Sequence, residues 1–140
     1  MTLVDEIVNG ETNVITLIFG EFHPVSIKPE ESGIYCIYQA DSKGNPGKLL
    51  YVGETGDLSS SLSEKCRDWQ EKEEPVYCLA PMKGGKEEIL RAKAALICKF
   101  KPERNEKSKD SFNYGKSVVL ITGGKFSCSI FPIGQNKESE

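Results

Sequence analysis

Two short apolar motifs constrain the fold of this 140-residue chain more than any other feature. Gly33-Ile34-Tyr35 opens a run through Tyr38 that is apolar on both alternations, as in a central strand covered on both faces. Tyr51-Val52-Gly53 closes a second apolar run, and the segment 41–48 between the two runs is rich in turn-forming residues. The two runs therefore predict an antiparallel hairpin with an enlarged tip.

The segments before this hairpin predict a small N-terminal extension. We expect a short helix over residues 2–8, a strand over Asn13–Phe19 and a connecting loop over residues 23–32. His23, the one histidine of the sequence, falls in this loop directly before a proline. That position favours an incidental residue over a metal ligand or a catalytic base.

Two helices and a strand are predicted after the hairpin. Asp57 is a candidate N-cap for the first helix. The residues at the spacing of one face of this helix are Leu58, Leu62, Cys66 and Trp69. A short strand is predicted over Val76–Leu79, and the strongest helical pattern covers Lys86–Phe100. Lys101-Pro102 marks the end of that second helix, because the residue before a proline is disfavoured in a helix.

The C-terminal third predicts a second hairpin. Lys116–Thr122 and Lys125–Phe131 alternate like strands, and Gly123-Gly124 joins them. We expect one domain in four parts: an extension 1–32, a core 33–105, a connection and hairpin 106–133, and a disordered tail 134–140.

Composition bounds the class of protein. The chain is long enough for one domain with a core, and no apolar run reaches the roughly 20 residues that cross a bilayer. Five scattered cysteines without a Cys-x-x-Cys pair argue against a zinc site and a disulfide framework, so we expect free thiols and a cytoplasmic protein. A net charge of −3 gives the whole molecule no attraction for nucleic acid, so such binding would need a local basic face.

The order of these motifs resembles the GIY-YIG nuclease domain over roughly residues 33–105. The resemblance implies an α/β fold in which a small antiparallel sheet is flanked by helices. The N-terminal strand and the C-terminal hairpin would be additions that extend or cover this sheet. In active members, two tyrosines, an arginine, a glutamate that holds a divalent metal and an asparagine share one site, and a basic or histidine residue lies one turn after the arginine. The positions that match this site here are Tyr35, Tyr51, Ser61, Lys65, Lys93 and Asn105.

The resemblance fails at the two residues most important for cleavage. Ser61 stands at the arginine position, which removes a fixed positive charge that would stabilise the transition state. Lys93 stands at the glutamate position, where its ammonium would repel the metal. We therefore expect a vestigial site with no metal and no cofactor, and a chain that is not an enzyme of the usual kind. Tyr35 and Tyr51 would then pack as core residues.

The orientation of Lys93 has two readings. It shares a helical stripe with Ile89, Leu96, Ile97 and Phe100. Its stem could pack while the ammonium reaches solvent, or the ammonium could face the old metal position and meet a phosphate or a carboxylate. Glu54 is a candidate for that carboxylate because it directly follows the second motif.

Three functions compete at this point. The first is a binding module for DNA or RNA, which would use Lys65, Lys93, Lys99, Lys101 and Arg104, with Lys107 and Lys109 beside them. A solvated helix end explains most of these cations equally well. The second is a protein-interaction module without a nucleic-acid role, which the acidic balance favours. The third is an endonuclease with a rebuilt site that needs Mg²⁺ or Mn²⁺. None of the three involves a membrane.

Overall fold

Seven strands and two α-helices form the part of the chain that the computed structural model describes, residues 13–57, 61–106 and 112–134. The strands are β1 (Asn13–Ile18), β2 (His23–Pro24), β3 (Gly33–Ala40), β4 (Pro46–Glu54), β5 (Val76–Pro81), β6 (Ser117–Thr122) and β7 (Cys128–Ile133). The helices are α1 (Leu62–Arg67) and α2 (Lys86–Phe100), and a short 3-10 turn covers Thr55–Asp57.

The predicted central hairpin is confirmed. β3 and β4 are antiparallel, with Tyr35 opposite Gly53 and Ile37 opposite Tyr51. The tip is closed by Asp41, whose Oδ1 accepts hydrogen bonds from the backbone N–H groups of Lys43 and Asn45 at 2.9 Å each. Such bonds from an aspartate to the backbone just after it are a common way to stabilise a tight turn. The tip is therefore shorter than the composition suggested, and β4 begins at Pro46 rather than Leu49.

The strands form two sheets, and the fold is mixed α/β. The larger sheet has the order β2-β5-β3-β4, and each neighbouring pair in it is antiparallel. The smaller sheet has the order β1-β6-β7, in which β1 runs parallel to β6 and β7 antiparallel to it. The N-terminal strand and the C-terminal hairpin thus build a sheet of their own. The two sheets meet where the Gly20 N–H donates to the Leu79 carbonyl at 2.9 Å.

The four-stranded sheet separates two apolar clusters, because successive residues of a strand point to opposite faces. Ile34, Cys36 and Tyr38 pack on one face with α2 and the smaller sheet. Tyr35 and Ile37 pack on the other face with α1. The prediction that β3 is covered on both faces is confirmed, since all its residues except Gln39 are buried.

The first helix begins later than predicted. Asp57 ends the 3-10 turn, and α1 starts at Leu62 with Ser61 as its N-cap. Residues 58–60 lie outside the described ranges, as do the helix predicted over 2–8 and all but residue 134 of the tail predicted over 134–140.

The second helix is confirmed at both ends. α2 spans Lys86–Phe100, and Lys101 closes it in a left-handed conformation with φ of 47° while its N–H donates to the Ile97 carbonyl. Its buried face differs from the predicted stripe, since the buried residues are Ala92, Ala94, Ala95, Leu96 and Ile97. None of the helices in the described ranges has the length and apolar character that a bilayer crossing requires.

Candidate functional site

The two motif tyrosines lie side by side on one face of the four-stranded sheet. Their ring centroids are 6.1 Å apart and the ring planes differ by 26°, so the rings stack. Tyr35 is only 1% exposed, whereas Tyr51 is partly exposed. Of this pair, Tyr51 is the side chain that a ligand can contact.

The glycines of both motifs are required by close packing. A Cβ at Gly53 would collide with the Tyr35 phenol, which lies across it. A Cβ at Gly33 would collide with the Ala80 carbonyl of β5. The Gly33 N–H donates to Thr55 Oγ1 at 3.0 Å, so the turn after β4 also fixes the start of β3. The motif residues thus hold the hairpin and its flanking turn together.

Two neighbouring aromatic rings, Tyr51 and Trp69, lie between two cations. The Lys65 ammonium lies 4.4 Å from the Tyr51 ring centroid, and the Tyr51 and Trp69 centroids are 5.9 Å apart. The Arg104 guanidinium carbon lies 5.6 Å from the Trp69 centroid. We call Lys65, Tyr51, Trp69 and Arg104 the cation–aromatic row. A cation over an aromatic face is attracted by the ring quadrupole, which stabilises both contacts.

Arg104 is held in the row by further bonds. Its Nη2 donates to the Trp69 carbonyl at 3.0 Å and lies 3.2 Å from Glu71 Oε2. Glu71 Oε1 in turn accepts a hydrogen bond from Gln39 Nε2 at 3.3 Å. The guanidinium is therefore fixed in position, and the Glu71 carboxylate compensates part of its charge.

Asn105 binds the outer edge of β4. Its Nδ2 donates to the Val52 carbonyl and its Oδ1 accepts from the Val52 N–H, both at 2.9 Å. The preceding Arg104 N–H donates to the Leu50 carbonyl at 2.7 Å. Asn105 is 6% exposed. Its amide thus pairs with the strand edge as a neighbouring strand would, and both functional atoms of the amide are used in this way.

Ser61 acts as the N-cap of α1. Its Oγ accepts a hydrogen bond from the Glu64 N–H at 3.2 Å, which satisfies one of the open donors of the first turn. The sequence match placed Ser61 at an arginine position, and this local bond gives the serine a structural role of its own.

Lys93 lies on the helix that packs against the other face of the sheet. The buried residues of α2 belong to the cluster with Ile34 and Cys36, whereas Tyr35 belongs to the cluster with α1. Glu54 is 3% exposed and lines a cavity of about 250 Å³ together with Ile89 of α2. The structure therefore places Glu54 beside the helix of Lys93, and the tyrosine pair on the opposite face.

The cations that the sequence grouped together fall in separate places. Lys65 and Arg104 both belong to the cation–aromatic row, at its two ends. The Lys99 ammonium lies 5.2 Å from the Phe131 ring centroid, on the smaller sheet. Lys101 is exposed at the end of α2. Lys107 and Lys109 lie outside the described residues.

The row itself was not predicted from the sequence. Trp69 was expected only as one residue of a helical face, although it follows Lys65 by four positions and is the single tryptophan. The bond between Arg104 and Trp69 joins residues 35 positions apart, and no local pattern reports such a contact.

Burial raises the pKa of one thiol on each face of the four-stranded sheet. Burial raises the pKa of the Cys66 thiol of α1 to about 12. On the opposite face, burial and the adjacent Cys78 thiol hold the pKa of Cys36 well above its ordinary value. Within residues 13–57, 61–106 and 112–134, no three side chains of histidine, cysteine, aspartate or glutamate come together in a group that could hold a metal ion.

Comparisons of the chain with family models, with curated proteins and with solved structures found no match.

Proposed function

We propose that this chain is a GIY-YIG-like binding module that has lost the family's cleavage chemistry and binds single-stranded nucleic acid. The resemblance supports the scaffold, because the two motifs form neighbouring strands that are followed by two helices. The loss of cleavage is supported by Ser61, which caps α1, and by Lys93, whose helix packs against the face opposite the tyrosines.

The cation–aromatic row is the observation that carries the nucleic-acid proposal. Tyr51 and Trp69 are both partly exposed, and Lys65 and Arg104 lie over their rings. Proteins that bind single strands combine positive charges along the backbone with aromatic rings on which bases stack. In this row, Lys65 would contact a phosphate while a base packs against the exposed part of Tyr51 or Trp69.

The row predicts weak, modestly salt-dependent binding. Its two cations would neutralise about two phosphates, which gives a slope of log K against log salt of roughly −1.4 for a single strand. Arg104 contributes less than a full charge because Glu71 is paired with it. The net charge of −3 adds no long-range attraction, so the contacts must form locally.

Fluorescence anisotropy with short labelled single strands of DNA and RNA tests this proposal. Binding should weaken as salt rises from about 50 to about 200 mM. Lys65→Gln should lower the affinity and reduce the salt slope by about 0.7. Lys72→Gln is the matched control, because Lys72 is exposed nearby and lies outside the row.

Three results would contradict the proposal. The first is the absence of binding to any strand at the lowest salt. The second is an equal loss of affinity in the Lys65 and Lys72 variants, which would show that the row does not bind the strand. The third is Mg²⁺- or Mn²⁺-dependent nicking of a plasmid that is lost in Tyr51→Phe. That outcome would show a rebuilt catalytic site.

A further inference from the structure

A groove of about 370 Å³ lies over β5. One wall is the chain from residue 18 to residue 21, and the other is the chain from residue 27 to residue 31. Tyr77 and Leu79 of β5 lie between these walls. No residue of the cation–aromatic row lines this groove, so it is a separate feature of the molecule.

Both walls are fastened to the strands of the larger sheet. The Gly20 N–H donates to the Leu79 carbonyl at 2.9 Å. On the other side, the Tyr77 hydroxyl donates to the Ile27 carbonyl at 2.9 Å, and the Val25 N–H donates to the Pro75 carbonyl at 3.1 Å. These bonds fix the groove in the free protein, so a ligand would not have to order the walls.

The groove has exposed apolar residues on its walls and several acidic residues at its rim. Ile18 and Ile27 both line the groove and are 66% and 49% exposed, which is a high exposure for large aliphatic side chains. The charged residues that line the groove are Glu21, Glu30, Glu31 and Lys28. Three carboxylates and one ammonium give this rim a net charge of −2. Burial, and after it the negative charge of Glu30, also raises the pKa of Tyr77.

We propose that this groove binds a short peptide segment of a partner protein that carries a lysine or arginine beside an apolar side chain. The apolar side chain would be buried between Ile18 and Ile27, and the cation would meet the glutamates of the rim. A volume of about 370 Å³ is at the small end of ligand sites, so it accepts only a few side chains. The acidic rim selects against acidic segments, because like charges at short range repel.

Chemical-shift mapping by NMR tests the groove with defined probes. The probe is the blocked tripeptide leucine-arginine-leucine, and the matched probe replaces its arginine with glutamate. The basic tripeptide should shift the amides of Ile18, Ile27 and Leu79, and the acidic one should bind far more weakly. The double variant Glu30→Gln/Glu31→Gln should bind the basic tripeptide about two- to thirtyfold more weakly, since each exposed ion pair contributes little in water.

A matched variant and four further results decide the proposal. Glu106→Gln removes an exposed carboxylate that does not line the groove, and it should bind like the unaltered chain. Equal binding of the two tripeptides, or shifts confined to other parts of the molecule, would overturn the proposal. Butylammonium that binds as tightly as the basic tripeptide would make the groove a small-amine site instead. Shifts of Ile18 and Ile27 with protein concentration alone would assign the groove to a second copy of this chain.

Discussion

The Tyr35 phenol lies across Gly53, the residue directly opposite it on β4, and fills the space that a side chain at position 53 would need. This contact joins the last residue of the first motif to the last residue of the second. It also explains why the ring of Tyr35 is almost completely buried although it lies beside the partly exposed Tyr51.

The contact predicts that Gly53→Ala destabilises the protein. The added methyl group would overlap the Tyr35 ring and its hydroxyl, and overpacking of this kind costs about 1–3 kcal/mol. Gly47→Ala on the same strand is the control, because a Cβ there meets only ordinary contacts, and it should change the free energy of unfolding by less than about 0.5 kcal/mol. Chemical denaturation of both variants checks the prediction, and equal stabilities would contradict it.

Asn105→Asp should destabilise the edge of β4. The substitution replaces the Nδ2 donor with a carboxylate oxygen that faces the Val52 carbonyl, and leaving such a buried acceptor unsatisfied costs about 1–3 kcal/mol. Asn113→Asp is the control at an exposed position. Denaturation gives the stability, and faster hydrogen exchange of the Val52 and Arg104 amides would locate the effect at the strand edge. Unchanged exchange there would refute the edge role of Asn105.

Ser61→Ala should cost about 0.5–2 kcal/mol, because it removes the N-cap of α1. Ser61→Asp keeps an acceptor for the Glu64 N–H and should retain most of the stability. Thermal unfolding of the three proteins measures the difference. If Ser61→Ala is as stable as Ser61→Asp, the serine has no capping role.

The five thiols should react in the order of their exposure. Cys128 is exposed, whereas Cys36 and Cys78 are completely buried and face each other across β3 and β5. Iodoacetamide should therefore label Cys128 first, and Cys36 and Cys78 only after unfolding, which mass spectrometry of digested protein can follow. Early labelling of Cys36 would contradict the burial of this pair.

Stability should fall at alkaline pH because buried groups must lose a proton. Burial raises the pKa of Cys66 from 9.0 to about 12 in the folded state. The unfolded chain therefore releases this proton first, and the stabilisation that is complete below pH 9.0 is lost as the pH rises towards about 12. Burial also raises the pKa of Tyr77, so this group contributes a pH dependence of the same sign.

Denaturant unfolding across this pH range measures the effect. Cys66→Ala removes one titrating group and should make the decline with pH shallower, whatever the variant's stability at neutral pH. If the free energy of unfolding declines equally steeply with pH in both proteins, the Cys66 thiol does not cause the loss of stability.

The elements that could be predicted are those with strong local signals. α2 carries a long apolar pattern and ends at Lys101-Pro102, and the β3–β4 hairpin has two apolar runs around a turn. The predicted start of the first helix was wrong because Asp57 is as good an N-cap as Ser61 by residue type. A 3-10 turn over Thr55–Asp57 delays the helix, and its fit against Gly33 of β3 depends on tertiary structure.

The candidate site was only partly predictable for the same reason. The adjacency of Tyr35 and Tyr51, whose ring centroids are 6.1 Å apart, follows from the pairing of the two hairpin strands. The separation of Lys93 from that pair depends on which face of the sheet α2 covers, and a helical pattern does not specify this. The place of Arg104 depends on a chain reversal after α2 that brings it to Trp69.

The parallel pairing of β1 with β6 has a consequence for biosynthesis. Ile15 and Leu17 are buried in the core, yet their strand finds its partner only when residues 117–122 have been made. During translation, β1 therefore cannot pair with β6 until nearly the whole described chain has left the ribosome. A nascent chain that stops before β6 would present an apolar strand edge to its surroundings, so chaperone contact should be greatest at that stage.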